Sequence, residues 1–191
     1  TTEVSASSPG QFPAYQNITT DAFQTWAAAL GDVDADGALD LVEGNDAETN
    51  RLYVNDGFGG FAGGVSISTD TKATRSVALG DVDDDGFLDL VEGNASETNR
   101  LYIGNGAGSF AAGSDLTADA NTTKSVSLGD VDGDGDLDVV VGNDAEINRL
   151  YVNDGFGVFA AGADIGTDAS STWSTSLGDV NGNGDLDLVV G

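Results

Sequence analysis

Four short acidic segments recur along the chain at a constant spacing of 49 residues. They read DVDADGALD from Asp32, DVDDDGFLD from Asp81, DVDGDGDLD from Asp130 and DVNGNGDLD from Asp179. Each segment carries an oxygen-bearing side chain at positions 1, 3, 5 and 9 and a glycine at position 6. The constant spacing predicts four copies of one loop with the same chemistry.

The chemistry that these loops favour is the binding of a hard divalent cation. Such a cation takes six to eight oxygen ligands at about 2.3–2.6 Å, and alternate side chains of a tight loop converge on one point. The glycine permits the positive φ of a sharp turn, and the backbone carbonyl of position 7 adds a further oxygen. Calcium is the expected occupant, since Mg²⁺ prefers fewer protein ligands and retains its waters.

The composition argues against several classes of partner. The 191 residues include 33 acidic and six basic side chains, for a formal net charge of -27, whereas nucleic acids and anionic membranes require basic patches. No apolar run approaches the roughly 20 residues that span a bilayer, so we expect no membrane insertion. The chain lacks Cys and Met, and from the missing Met we expect a processed or excised segment. Open calcium loops suit the millimolar calcium outside cells, which predicts a secreted or cell-surface protein.

The pattern between the loops predicts an all-β protein. In the second unit, RSVALGDV and FLDLVEGN are two strands joined by the acidic loop, RLYIGN is a third and FAAGSDLT a fourth. Four short strands in each unit are typical of a β-propeller blade. We therefore predict a single β-propeller domain, residues 1–191, with calcium loops at 32–40, 81–89, 130–138 and 179–187.

The two ends of the chain are complementary parts of a blade. Residues 1–20 align with the third and fourth strands of the other units, and residues 172–191 supply only a first and a second strand. Joining them in one sheet predicts a closed propeller of four blades, whose sheet edges are hidden. Two alternatives remain: the chain is half of a larger ring made by two copies, or it is a fragment of a longer propeller.

The acidic loop, the apolar strand after it and the segment NRLYVNDGFGGF together resemble the FG-GAP (VCBS-type) repeat of integrin α-subunit propellers and many secreted bacterial and fungal proteins. The resemblance covers essentially the whole chain. It implies that each loop joins the first two strands of a blade and binds Ca²⁺, about four ions in all. The implied side-chain ligands are Asp32, Asp34, Asp36, Asp40, Asp81, Asp83, Asp85, Asp89, Asp130, Asp132, Asp134, Asp138, Asp179, Asn181, Asn183 and Asp187. The implied carbonyl ligands are those of Ala38, Phe87, Asp136 and Asp185.

The resemblance is incomplete, because integrin propellers have seven blades and pair with a β-subunit, for which this chain gives no indication. We expect the calcium to be structural, since carboxylates held a few ångströms apart repel one another without a cation. The fourth loop replaces two carboxylates with Asn181 and Asn183, and fewer charges lower calcium affinity. We therefore expect this loop to empty first on chelation.

One position varies where its neighbours are constant. After the recurring Thr25, Thr74, Thr123 and Thr172 come Trp26, Arg75, Lys124 and Trp173. If the topology of the family holds, these four residues lie at the entrance of the innermost strands, on the face opposite the calcium loops. Two aromatic rings and two cations are suited to stack a sugar and to pair with a carboxylate or sulfate. The alternative is a channel filled by large side chains.

These observations favour a non-enzymatic, calcium-stabilised extracellular recognition module. The expected partner is a glycan or an extracellular protein, bound in a lectin-like or adhesive manner. A second hypothesis is a structural subunit of an extracellular fibre or coat, which would self-associate. A third is a glycan-active enzyme, and only carboxylate-pair chemistry is open to it, because the chain has no His, no Cys and no G-x-S-x-G segment.

Overall fold

The structure of the protein, a computed structural model, describes residues 3–4, 16–18 and 22–191. Within these ranges the chain forms sixteen β-strands and no helix. The strands are β1 (Glu3–Val4), β2 (Gln16–Asn17), β3 (Thr25–Gly31), β4 (Asp40–Asn45), β5 (Arg51–Tyr53), β6 (Val65–Ser66), β7 (Thr74–Gly80), β8 (Asp89–Asn94), β9 (Arg100–Tyr102), β10 (Ser114–Asp115), β11 (Thr123–Gly129), β12 (Asp138–Asn143), β13 (Asn148–Tyr151), β14 (Ala163–Ile165), β15 (Thr175–Gly178) and β16 (Asp187–Val190). The described residues therefore contain no helix able to cross a membrane.

Three successive units each form a four-stranded antiparallel sheet, in the orders β3-β4-β5-β6, β7-β8-β9-β10 and β11-β12-β13-β14. This arrangement confirms the all-β prediction and the order of strands within a unit. The second strand of each sheet, β4, β8 or β12, is buried over its whole length. Burial on both faces explains why these segments lack the alternation of apolar and polar residues that marks a half-buried strand. The fourth strand is shorter than predicted, and β10 has only two residues.

The sheets stack side by side, with their first strands together. β7 packs against β3 on one side and against β11 on the other, and β11 also contacts β15. Glycine permits this close approach, because a Cβ on Gly31 would come within 2.6 Å of Leu88 Cδ1 and one on Gly80 within 2.8 Å of Leu128 Cδ1. Apolar clusters fill the spaces between sheets. One cluster is formed by Val33, Val42, Leu52, Leu90 and Tyr102, and the other by Val82, Val91, Leu101, Leu116, Val126, Val139, Val141 and Tyr151.

The predicted closure into a ring of four complete blades is not found among the described residues. β15 and β16 form a two-stranded sheet, and β1 and β2 pair only with each other. Val189 and Val190 of β16 are 53% and 50% exposed, whereas the corresponding Val140 and Val141 of β12 are 2% and 1% exposed. Among the described residues, no strand therefore covers the free edge of β16.

Part of the difference from the prediction lies in the register of the β1–β2 pair. The repeat predicts that Glu3 pairs with Gln16, as Leu52 pairs with Val65 in the first complete sheet. The structure pairs Glu3 with Asn17, which is a shift of one residue. The register of this pair therefore differs from that of the outer strands in the complete sheets. The rest of the predicted composite blade within residues 1–20 lies outside the described ranges.

Candidate functional site

Each acidic loop joins the first and second strands of a sheet, as the sequence predicts. The glycines at position 6 have positive φ, namely 92° at Gly37, 90° at Gly86, 105° at Gly135 and 98° at Gly184. The first carboxylate of each loop bonds the backbone of the turn: Asp32 Oδ1 accepts from Asp36 N at 3.0 Å. Its other oxygen accepts from Gly37 N at 2.9 Å. The same contacts recur in the other loops, so all four share one local shape.

Three of the loops bring carboxylate oxygens close enough to share a cation. One oxygen from each member lies within 4.8 Å of the others in the groups Asp32–Asp34–Asp36, Asp81–Asp83–Asp85 and Asp130–Asp132–Asp138. In the fourth loop, the Oδ1 atom of Asn181 accepts from Asn183 N at 3.1 Å, where the other loops use an aspartate. The donor set in three loops therefore fits a hard, oxygen-loving cation.

The aspartate at position 9 has a second role that spacing alone did not indicate. Asp40, Asp89 and Asp138 are fully buried. Asp40 accepts from Val33 N at 2.9 Å and from Asn55 N at 2.8 Å, and so ties the loop to the third strand of its sheet. Asp89 and Asp138 make the equivalent pairs of bonds. A carboxylate has lone pairs left after two such bonds, and among these three only Asp138 also belongs to one of the close groups.

Burial, together with repulsion between neighbouring carboxylates, raises several pKa values in the loops. Burial, followed by repulsion from Asp40 and other loop carboxylates, raises the pKa of Asp34. The pKa of Asp83 and the pKa of Asp132 rise in the same way. Burial raises the pKa of Asp89 to about 6, with further contributions from the loop carboxylates, although two backbone amides oppose the shift. The loops hold negative charge at a cost, which a bound cation would offset.

The carbonyl ligands implied at Ala38, Phe87, Asp136 and Asp185 remain predictions. The amides of these residues donate to the side chain at position 5, for example Ala38 N to Asp36 Oδ1 at 2.8 Å. This bond closes the turn at the point where the carbonyl would contribute.

The four variable residues occupy the same irregular position in their sheets. The pairing of β3 with β4 shifts between Thr25 and Ala27, which leaves Trp26 as a bulge. The same shift occurs at Arg75 and at Lys124. At Trp173 the amides of residues 173 and 174 both donate to Gly191 O, at 2.7 and 3.2 Å. A β-bulge redirects a side chain, and here it does so at the end of each innermost strand away from the acidic loop.

The structure brings these four side chains to one pocket of ≈ 290 Å³, lined by Trp26, Arg75, Lys124 and Trp173. The indoles are 53% exposed at Trp26 and 63% exposed at Trp173. The Arg75 guanidinium lies over the Trp26 ring at 4.6 Å, and Lys124 Nζ lies over the Trp173 ring at 4.7 Å.

Two acidic partners of this pocket were missed by the sequence reasoning. Asp46 Oδ1 lies 3.1 Å from Arg75 Nη2, and Asp144 Oδ2 lies 3.2 Å from Lys124 Nζ. Both aspartates follow the buried second strand of their sheets, in the segments NDAE, whereas the second unit has NASE with Ala95 at this place. That difference was the only signal in the sequence. Each of these two cations therefore already has an acidic partner within the protein.

Two arginines of the third strands, Arg100 and Arg149, each pair with two aspartates. Arg100 contacts Asp70 at 3.1 Å and Asp115 at 2.7 Å. Arg149 makes the equivalent pairs with Asp119 and Asp164. These contacts join an outer strand to its neighbour and to the linking segment before the sheet. They are structural and lie apart from the pocket.

Comparison with known proteins identifies the family to which the repeats are similar. Residues 32–92, 81–141 and 130–190 each match the family model described as FG-GAP-like repeat. No curated protein matches the chain at a significant level.

Three solved structures illustrate the likeness of fold. The first is an Agrocybe aegerita lectin, described by its specific recognition of non-reducing terminal N-acetylglucosamine, with a TM-score of 0.70, 19% identity, and coverage of 98% of this chain and 54% of the lectin chain. The second is BBS1N in complex with ARL6DN, at TM-score 0.58, 11% identity, 89% of this chain and 51% of that chain. The third is the V. cholerae biofilm matrix protein Bap1, with a TM-score of 0.51, 19% identity, and coverage of 88% of this chain and 28% of the Bap1 chain. This chain spans about half the length of the lectin, and at these identities the likeness shows the fold alone.

Proposed function

Since the chain belongs to the FG-GAP-like repeat family, we propose that it is a non-enzymatic, calcium-stabilised recognition module that binds carbohydrate outside the cell. The binding site in this proposal is the pocket of Trp26, Arg75, Lys124 and Trp173. The observation that carries it is the convergence of two half-exposed indoles on one cavity at the end of the innermost strands. Aromatic rings presented in this way suit the apolar face of a sugar. The similarity to a lectin and to a biofilm matrix protein supports the same class of ligand.

In this proposal the acidic loops hold Ca²⁺ through the three close carboxylate groups, and the fourth loop binds it more weakly through Asp179, Asn181, Asn183 and Asp187. Bound calcium would supply positive charge where burial and neighbouring carboxylates raise the pKa values of Asp34, Asp83 and Asp132. The protein's own residues fix the loop shape, through the position 6 glycines and the buried position 9 aspartates. Because the loops and the pocket lie at opposite ends of the same strands, the cation has a structural role and does not touch the sugar.

The two tryptophans make the proposal directly testable, because they are the only two in the chain. We expect glycans to change the intrinsic fluorescence, which then reports on this pocket alone. Trp173→Ala should weaken glycan binding by about tenfold, whereas Val158→Ala, an exposed change at a distant loop, should not. Silence of a folded, calcium-loaded protein toward glycans and extracellular proteins would contradict the function.

We further propose that residues 1–20 complete the last sheet and close the ring. Support comes from the open edge of β16 and from a groove of ≈ 350 Å³ beside it, lined in part by Ile165, Leu188 and Val190. By the repeat, Val189 should pair with Glu3, as Val140 pairs with Leu150. The chain has no Cys, so Glu3→Cys with Val189→Cys gives a clean cross-linking test.

Each outcome of this cross-link identifies a different architecture. A disulfide within one chain supports the four-bladed ring, and a disulfide between two chains supports the larger ring of two copies. Failure to cross-link in calcium would contradict closure of the last sheet by residues 1–20.

The open edge also favours a second candidate function, a subunit of an extracellular fibre or coat. An uncovered strand with exposed valines is a template for pairing with another chain. Sedimentation in calcium over a range of protein concentrations distinguishes the two: a fibre subunit assembles as concentration rises, and a recognition module does not.

A further inference from the structure

The charge balance of the pocket indicates which kind of glycan it accepts. Two cations line it, and two aspartates lie within 3.1–3.2 Å of them, so the local formal charge is zero. Hydrogen bonds from Ser171 and Lys124 lower the pKa of Asp144, which keeps its negative charge in place. A sulfate or carboxylate entering the pocket would have to displace an internal partner.

The cations are also poorly accessible. The side chains of Arg75 and Lys124 are 20% and 17% exposed, less than half the exposed fraction of either indole. Arg75 Nη1 is buried and makes no hydrogen bond within the described part of the chain. Each cation lies over an indole, which occupies one face of that ring. The surface that remains for a ligand is therefore mainly the outer part of the two tryptophans.

The net charge of the whole protein also disfavours the binding of anionic glycans. With a formal net charge of -27, an anionic glycan approaches against a repulsive field, even after partial neutralisation by calcium. A neutral sugar pays no such penalty, and it loses little by burying its C–H face on an aromatic ring.

We infer that the pocket selects uncharged saccharides, held by stacking on Trp26 and Trp173, and that Asp46 and Asp144 act as built-in counter-ions that exclude sulfated or carboxylated glycans. This inference rests on the proposed function and specifies its ligand class. It differs from the expectation that the two cations pair with a carboxylate or sulfate of the ligand.

The test compares one trisaccharide of N-acetylglucosamine with the same trisaccharide carrying O-sulfates, by tryptophan fluorescence in calcium. The wild-type protein should bind the neutral form at least about tenfold more tightly, with little dependence on salt. Asp46→Asn with Asp144→Asn frees both cations, so binding of the sulfated form should strengthen about tenfold and become sensitive to salt. The matched control is Asp115→Asn with Asp164→Asn, which makes the same charge change at exposed ion pairs of the outer strands. It should leave the preference unchanged.

The outcomes separate this inference from the function on which it rests. Tighter binding of the sulfated form by the wild-type protein would overturn the inference and leave glycan recognition standing. Equal gains in the test and control variants would show that only overall charge matters, which also overturns it. No binding of either trisaccharide, or of other glycans, to the folded protein would overturn the proposed function and the inference together.

Discussion

Replacing the buried Glu92 with glutamine should remove a pH dependence from the stability of the protein. Glu92 is 1% exposed and lies in β8, where its Oε1 atom accepts from Asn50 Nδ2 of the preceding sheet at 2.6 Å. Burial raises its pKa from 4.5 to about 7, and hydrogen bonds from Asn50 and Tyr102 only partly oppose this shift. The carboxyl group thus sits between two sheets in a place that favours its neutral form.

The size and sign of the effect follow from the two pKa values. Between pH 4.5 and about pH 7 the folded state retains a proton that the unfolded state has lost, so stability falls as pH rises through this window. The pKa values of Glu92 in the unfolded and folded states differ by about 2.5, and each pKa unit corresponds to 1.36 kcal/mol. Ionisation of Glu92 therefore lowers the free energy of unfolding by about 3 kcal/mol above pH 7 and does not change it below pH 4.5. Glu92→Gln keeps an acceptor for Asn50 and cannot ionise. Its advantage over the wild type should therefore grow from near zero at about pH 5 to about 3 kcal/mol at about pH 8.

Urea unfolding in saturating calcium, followed by tryptophan fluorescence at several pH values, measures this difference. Calcium keeps the acidic loops in one state, and the difference between variant and wild type cancels their remaining titration. Glu97→Gln is the control, because Glu97 is half-exposed and pairs with Lys72 on the surface. Parallel pH profiles for Glu92→Gln and the wild type would refute the reasoning, since the buried carboxyl would then not change its protonation on folding.

Three further predictions concern calcium and the backbone. Chelation should lower the melting temperature, because each calcium site held at hundredfold saturation contributes about 2.7 kcal/mol to stability. The double substitution Asn181→Asp with Asn183→Asp should strengthen calcium binding at the fourth loop, as measured by calorimetry. Four sites of equal affinity in the wild-type protein would contradict this prediction. Ala35 has a φ of 58°, and the third and fourth loops have glycine at the same position. Ala35→Gly should therefore raise the free energy of unfolding in urea by about 0.5–1 kcal/mol. A lower free energy of unfolding would show that the loop relaxes when alanine is present. A Cβ on Gly113 would lie 2.3 Å from the buried ring of Tyr102, so Gly113→Ala should destabilise the fold by about 1–3 kcal/mol in thermal unfolding. Gly63→Ala is the control and should have little effect, because a Cβ at Gly63 meets no other atom within 4 Å.

The elements of each unit were predictable because their signals are local. The hinge between β7 and β8 is marked by the segment DVDDDGFLD, and short apolar runs on either side mark the strands. The shape of a loop depends on residues within about nine positions, so one period of sequence contains what is needed. The position 9 aspartates show the limit of this reasoning. Their spacing predicted a metal ligand, and the structure adds hydrogen bonds that connect the loop to the segment after the third strand, as Asp40 does through Val33 N and Asn55 N.

The constant 49-residue repeat was enough to predict small sheets whose first two strands are joined by the acidic loops, and the topology of the family added a variable position at the opposite end of those strands. Only the tertiary structure decided that Asp46 neutralises Arg75, that Asn50 reaches the buried Glu92 and that the edge of β16 stays open among the described residues. These features depend on how neighbouring sheets are positioned against each other. That positioning is set by packing between residues that are 29 to 42 positions apart, and no local pattern of residue types encodes it.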